Sequence, residues 1–325
     1  MSQLLDKLSF ETGMRANELR RIMYTAPNRY KIYSIPKRVG GFRSIAQPAR
    51  EVKLLQRTLA KTFLTTLPTH AAATAYKPET SLRSNALPHA GRGPVLKLDF
   101  RDFFPSIRDR DWIAYCRQTG CLTEDEDIYL TSRLLFHRRK GESHLRLAIG
   151  APTSPILSNI LMYEFDVRVV ETVVADGVTY TRYADDMTFS AQRTGNLTHV
   201  IRDVGRVLRD IQYPRLALNP EKTTLVTAKY GRRVTGLTLA NDGRVTVGRD
   251  SKRKIRAAVY QAVNGRLDPE QMQVLTGMLA YVNAVEPEYL DVLRRKFGTQ
   301  AILKIQRAPR GEKIRRRSPA LAQNR

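Results

Sequence analysis

Cysteine is nearly absent: Cys116 and Cys121 are the only two in 325 residues. Two thiols with four residues between them cannot complete a four-ligand zinc site without borrowed histidines, so both are read as reduced core residues. No run of about 18 apolar residues occurs, which excludes a simple membrane span. The first 25 residues carry acids and no apolar run leading to a small-residue cleavage site, so a cytoplasmic protein is expected. Acid is also scarce. Asp and Glu total 31 against 55 Lys and Arg, a formal charge of +24, far beyond the magnitude of about 2 to 8 that solubility needs. Such an excess calls for a polyanion, and nucleic acid is the first candidate because each neutralised phosphate releases a counterion. At this length about three quarters of the unfolded surface can be buried, enough for one large core or several subdomains. No internal repeat is visible.

The apolar pattern predicts an N-terminal helical pair over residues 3–26, with Leu4, Leu5 and Leu8, then Leu19, Ile22 and Met23, separated by Gly13. A basic β-hairpin follows, Tyr30 to Ile35 and Phe42 to Ala46 around a turn at Arg38 to Gly41. A helix through Val52, Leu55, Leu59 and Phe63 should stop at Pro68. Residues 95–98 read as a strand that ends at Asp99, and a helix is expected from Asp109. Pro155 to Val174 suits one long helix with Ile156, Ile160, Tyr163 and Val167 on one face. Next come two strands, Val178 to Tyr183 and Met187 to Ala191, with Ala184, Asp185 and Asp186 at an exposed hairpin tip. A helix over 198–211 precedes a hairpin of Val234 to Leu239 with Arg244 to Val247, turning at Asn241-Asp242-Gly243. Beyond Asp250 the pattern is helical, broken near Gly265 to Pro269 and at Pro287. From Arg294 to Arg325 there are 11 basic residues and one acid, Glu312, a tail read as flexible and facing nucleic acid. Strands and helices mix without βαβ regularity, so the fold class is α+β with an antiparallel sheet.

Adjacent acids at a turn are commonly just solvated turn residues. A third acid at the end of another strand changes the reading, because three carboxylates converging on one sheet edge repel one another and stay partly protonated without a cation. Oxygen ligands alone select a hard ion such as Mg²⁺, which keeps water and substrate phosphates in its remaining positions. A pair of such ions can activate a hydroxyl and hold a leaving group.

Tyr183-Ala184-Asp185-Asp186 resembles the Tyr-x-Asp-Asp signature of reverse transcriptases. Leu98-Asp99-Phe100-Arg101-Asp102-Phe103-Phe104-Pro105-Ser106 resembles that family's first catalytic motif, and Gly150-Ala151-Pro152-Thr153-Ser154-Pro155 with Leu157-Ser158-Asn159 its next block. Asn85-Ala86-Leu87-Pro88-His89 and Val234-Thr235-Gly236 resemble signatures of the bacterial retron reverse transcriptases. The likeness runs from about Tyr24 to Val263, and neither an appended nuclease nor an RNase H domain is found.

The resemblance implies a right-hand polymerase fold: N-terminal helices at 1–26, fingers at 27–94, a palm at 95–248, a helical thumb at 249–308 and a basic tail at 309–325. It implies catalysis by Asp99, Asp185 and Asp186 holding two Mg²⁺ ions, with Mn²⁺ able to substitute and the backbone carbonyl of Phe100 as a further ligand. Phe104 is the favoured sugar gate under the incoming deoxynucleotide, one of Phe103 and Phe104 being core. Arg43 and Lys53 would hold the triphosphate, a use that suits guanidinium above all, and Lys222 would protonate departing pyrophosphate. Asn85 and His89 are read as a structural or RNA-contacting pair. The implied reaction copies part of a cognate structured noncoding RNA into DNA from a guanosine 2'-hydroxyl, giving a branched RNA-DNA product, in an antiphage system with an effector protein. One departure stands out: Ile149 occupies the place where the family commonly has Gln, removing an amide near the nucleotide sugar. The rival readings are a group II intron enzyme, whose usual maturase or endonuclease segment is not recognised in this sequence, and a non-catalytic RNA-binding scaffold, against which the intact triad argues.

Overall fold

The computed structural model describes residues 2–37, 40–227 and 229–308. The expected turn residues Arg38 and Val39, and the basic tail 309–325, lie outside the described residues. The chain separates into two compact units at Arg232/Arg233.

In the first unit, α1 (Gln3–Thr12) starts where the Ser2 hydroxyl accepts from the Leu5 N–H and ends at Gly13, in the left-handed region, whose N–H returns to the Ser9 carbonyl. It is followed by α2 (Ala16–Thr25), as its leucine spacing predicts. β1 (Tyr30–Pro36) pairs antiparallel with β2 (Phe42–Pro48), Tyr30 facing Pro48 and Pro36 facing Phe42. α3 (Arg50–Thr62) buries Val52, Leu55 and Leu59. It stops at Thr62 and not at Pro68, because Leu64–Thr66 tightens into a 3-10 turn first. α4 (Leu82–Ala86) carries a capping box from Ser81 and Ser84.

β3 (Val95–Asp99) is followed by the one-turn α5 (Phe103–Ser106), α6 (Asp109–Thr119) and α7 (Asp125–Leu135), whose first turn holds three acids against the helix dipole. A two-residue ladder of β4 (His137–Arg138) and β5 (Leu145–Arg146) follows. The single helix expected over 155–174 is two: α8 (Ser154–Leu161) and α9 (Tyr163–Val174), broken at Met162, whose backbone leaves helical geometry at ψ 3. The buried face is Leu157, Ile160, Leu161, Phe165, Val169 and Val173, while Tyr163 is exposed. Apolar residues run almost continuously from 156 to 163, so periodicity alone does not select a face there.

β6 (Thr179–Tyr183) and β7 (Asp186–Ser190) form a hairpin where one was expected, but its tip is tighter and less exposed: Asp186 joins the ladder opposite Tyr183, and Asp185 is half-buried. α10 (Val200–Asp210) and β8 (Thr224–Val226) then complete the unit. The four-stranded antiparallel sheet runs β6-β7-β3-β8. The strand β8 was not expected from the sequence: three residues against β3 give no period to detect. Leu96, Leu98, Met187, Phe189 and Tyr180 from the sheet join Phe165 and Val169 of α9 and Val204 and Leu208 of α10 in the main core.

The second unit opens on a three-stranded sheet, β9 (Arg233–Val234), β10 (Leu237–Leu239) and β11 (Val245–Thr246). The strand expected over 234–239 is interrupted. Thr235 at φ 46 and Gly236 at φ 84 form a two-residue turn with Val234 opposite Leu237, the left-handed pair that a tight hairpin requires and that glycine adopts freely. The turn at 241–243 stands as expected, with Leu239 opposite Val245. Among the described residues four helices follow: α11 (Arg249–Val263), α12 (Pro269–Val285), α13 (Pro287–Phe297) and α14 (Thr299–Gln306). Leu275, Leu279, Val282, Leu290, Leu293 and Ile302 are buried among them.

Candidate active site

Strand register brings the acids together. Asp99 is the last residue of β3 and faces Asp186, the first of β7. Tyr183 also pairs with Asp186, which leaves Ala184 and Asp185 as the whole connection between β6 and β7. Ala184 holds φ 59, a left-handed conformation that costs a residue with a Cβ about 1–2 kcal/mol. The two acids of the tip differ in setting: Asp186 lies in the ladder with an exposed edge, whereas Asp185 is half-buried and Asp99 buried.

Their electrostatics follow from this placement. Burial first, then the charge of Asp99, raises the Asp185 carboxyl. Burial, the charges of Asp185 and Asp99, and a hydrogen bond with Asp99 push Asp186 up to about 6. Lys222 Nζ donates to Asp99 Oδ1 at 2.8 Å, a bond that raises the lysine's own pKa and keeps it charged. The backbone delivers that lysine: the Asn219 N–H donates to the Asp99 carbonyl at 2.8 Å, and residues 220–222 turn directly after it.

Among the described residues, no three His, Cys, Asp or Glu side chains are already gathered at coordinating geometry. The donor set nonetheless fits a hard divalent ion, being all oxygen, with Asp185 and Asp186 raised first by burial and then by neighbouring carboxylate charge, which a cation would relieve. A pH dependence follows, with a definite sign. The folded-state value of Asp186 lies above its ordinary 3.8, so the protonated form stabilises the fold. That contribution is whole below the ordinary value and is lost as pH rises through about 6. Without divalent metal, the protein should therefore lose stability from pH 4 to 7 more steeply than Asp186→Asn. Parallel melting curves of the two proteins over that range would overturn this account.

Other residues singled out in the sequence are distributed unevenly. Arg43, exposed on β2, is close enough for its charge to lower the Asp185 and Tyr76 values. Lys53 is half-buried on α3, and no interaction ties it to the carboxylates among the described residues. Phe103 is core, stacked on the buried Phe100 ring at 5.4 Å, while Phe104 is half-buried beside it. Ile149 is half-buried, and its carbonyl accepts from the Ala46 N–H at 2.8 Å. The adjacent Gly150 sits at φ 121, where an added Cβ would meet Ile45 at 2.9 Å, so this loop can lie on β2 only as glycine.

His89 is fully buried. Its Nδ1 lies 2.6 Å from Ser190 Oγ and its Nε2 2.8 Å from Thr181 Oγ1, so the ring bolts β6 to β7. Burial drives its pKa down to about 4, so the ring is neutral. Asn85 is buried too and accepts from Thr74 Oγ1 at 2.7 Å. Of the structural and RNA-contacting alternatives for this pair, burial favours the structural one. Val234, Thr235 and Gly236 form the tight turn of the second unit.

Three residues near the acids escaped the sequence reading. Tyr76, at φ 64, sets its exposed ring 6.5 Å from that of Tyr183. Arg182 and Asp166 form a fully buried ion pair beneath the turn. The available signal was a charge inside a strand and another on an apolar helix face.

A family model described as reverse transcriptase (RNA-dependent DNA polymerase) matches residues 35–239. The retron Ec83 reverse transcriptase of Escherichia coli is 32% identical over 284 residues, which cover 87% of this chain and 91% of that one. The retron Ec73 reverse transcriptase of the same organism is 32% identical over 306 residues, covering 90% and 94%. Among solved structures, telomerase from Candida albicans bound to a fragment of telomeric RNA overlays with a TM-score of 0.47 at 13% identity, covering 85% of this chain and 55% of that one.

The chain belongs to the reverse transcriptase family, and within it to the bacterial retron reverse transcriptases. It is an RNA-directed DNA polymerase with the right-hand fold, acting on an RNA template with divalent metal. Among the described residues, no helix is long and apolar enough to cross a membrane.

Proposed function

We propose that this cytoplasmic polymerase copies part of its own structured noncoding RNA into DNA, starting from a guanosine 2'-hydroxyl, and that the branched product and an effector protein serve antiphage defence. The observation that carries the catalytic part is the meeting of Asp99, Asp185 and Asp186 at one edge of the sheet, where burial and the neighbouring carboxylates raise Asp185 and Asp186. In this reading residues 27–94 form fingers, 95–248 a palm and 249–308 a helical thumb, with 1–26 bracing the fingers.

Asp99, Asp185 and Asp186, with the Phe100 carbonyl, would hold two Mg²⁺ ions or Mn²⁺ in their place. When bound, such ions supply Lewis-acid activation of the attacking hydroxyl and neutralise the triphosphate. The chain supplies the rest. Arg43, whose charge, like that of Lys222, reaches Asp185, binds the triphosphate of the incoming deoxynucleotide with Lys53. Lys222 leaves Asp99 when the acids are otherwise neutralised and gives its Nζ proton to pyrophosphate. RNA is held largely through backbone shape and 2'-hydroxyls.

Phe104 serves as the sugar gate, since Phe103 is committed to the core and only the Phe104 ring retains an open face. Phe104→Ala should lower discrimination against ribonucleotides by about 10- to 100-fold, the worth of a steric contact. Single-turnover incorporation of matched ribo- and deoxynucleotides measures it, and an unchanged ratio moves the gate elsewhere.

The whole reading is tested by recovering the nucleic acid that copurifies with the protein from its native host. One dominant RNA carrying DNA through a 2',5' linkage is expected. RNA without attached DNA, together with no primer extension in Mg²⁺ or Mn²⁺, would favour the non-catalytic scaffold.

A further inference from the structure

Arg182 lies one residue before Tyr183 in β6, with no exposed side-chain surface. Its guanidinium is saturated on two sides. Nε and Nη2 donate to the two oxygens of Asp166 on α9, at 2.8 and 2.6 Å. Nη1 donates to Asn159 Oδ1 on α8 at 3.2 Å and to the carbonyl of Ala184 at 3.0 Å. Asp166 Oδ1 also accepts from the Tyr180 hydroxyl at 2.7 Å. Asn159 Nδ2 in turn donates to the Ala75 carbonyl at 2.7 Å, tying in the segment that carries Tyr76.

Stability alone does not account for this pair, because a buried ion pair can often be replaced by apolar residues at no cost. What apolar residues cannot reproduce is direction. A planar guanidinium clamped by a bidentate carboxylate points its remaining N–H groups along fixed lines, and one of those lines ends on the carbonyl of Ala184. That carbonyl belongs to the peptide linking Ala184 to Asp185, so fixing its plane fixes where the Asp185 side chain leaves the backbone. The same bond opposes relaxation of Ala184 out of its left-handed conformation.

We infer that Arg182 and Asp166 are positioning residues, which hold the turn between β6 and β7 so that Asp185 and Asp186 meet Asp99 in metal-binding geometry. The inference rests on the reading of those three acids as metal ligands. Both side chains are fully buried, so they act through the backbone of the turn.

The test uses the full chain and reads Mn²⁺ binding from the loss of the free-ion EPR signal, beside melting temperature, RNA affinity and the Mg²⁺ concentration giving half-maximal primer extension. Arg182→Lys keeps the charge opposite Asp166 but cannot span all four acceptor oxygens, on Asp166, Asn159 and Ala184. It should weaken Mn²⁺ binding about tenfold, as loss of an outer-shell partner does, and raise the required Mg²⁺ in parallel, with RNA affinity unchanged. Asn159→Ala leaves the ion pair intact and removes one of the two acceptors that hold Nη1. A weakening on the order of threefold is expected there, the worth of one hydrogen bond, and this variant decides the matter if Arg182→Lys does not fold. Wild-type Mn²⁺ affinity in a folded Arg182→Lys, or failing that in Asn159→Ala, overturns the inference. Asp185→Asn is the control: if it binds Mn²⁺ as the wild type does, the metal-site reading itself falls.

Discussion

Asp185→Asn and Asp99→Asn should each cut DNA synthesis by about a thousandfold or more, since a divalent ion supplies several kcal/mol of transition-state stabilisation and about 1.4 kcal/mol is worth tenfold in rate. RNA binding should change little. The attraction for RNA comes from a chain whose basic residues outnumber its acids 55 to 31, and losing one carboxylate removes no phosphate contact. Primer extension on a defined RNA template, with RNA affinity followed across a salt titration, separates the two properties. Polymerisation retained in either variant would remove these acids from the catalytic site. A matching loss of RNA affinity would mean the substitution had damaged the fold.

Asp166→Ala should destabilise the first unit by about 3–5 kcal/mol, because it strands the buried Arg182 guanidinium without its counter-charge. The chain has a single tryptophan, Trp112, fully buried in that unit and donating from Nε1 to Thr131 Oγ1 at 2.9 Å. Its fluorescence is therefore a site-specific probe of denaturant unfolding. The midpoint should fall with little change in slope, since the surface exposed on unfolding is nearly the same. Replacing both partners by apolar residues, Asp166→Leu with Arg182→Met, should recover part of the lost stability, the remainder being held back by Tyr180, Asn159 and the Ala184 carbonyl, which lose their partners. An Asp166→Ala protein with an unshifted midpoint would show that the ion pair is not buried as the structure has it.

These two effects differ in how far they were readable beforehand. The catalytic one rests on Asp99 at a strand end and on Asp185-Asp186 between two alternating stretches, both short-range patterns. The stabilising one rests on Asp166 and Arg182, whose partnership requires α9 to pack against β6. Lys222 belongs with the second kind, since its contact with Asp99 spans a long stretch of chain and depends on the turn at 220–222. His89 does too: one histidine after a short helix gives no sign that Thr181 and Ser190 will enclose it.

By itself the sequence determined what a few neighbouring residues decide: the alternating strands with Asp185 and Asp186 near the connection between two of them, the turn at 241–243, the basic excess and the family motifs. That Asp186 belongs to the ladder and leaves only Ala184 and Asp185 as the connection was decided by the strand pairing. It did not determine the break at Met162, the pairing of β8 with β3, or the division of Phe103 and Phe104 between core and open face. Turn chemistry and apolar period act over a few residues, so they are written locally. The partner of a buried charge, the face of an almost wholly apolar helix and the pairing of a three-residue strand are set by packing among segments far apart in the chain, and only the folded structure brings those segments together.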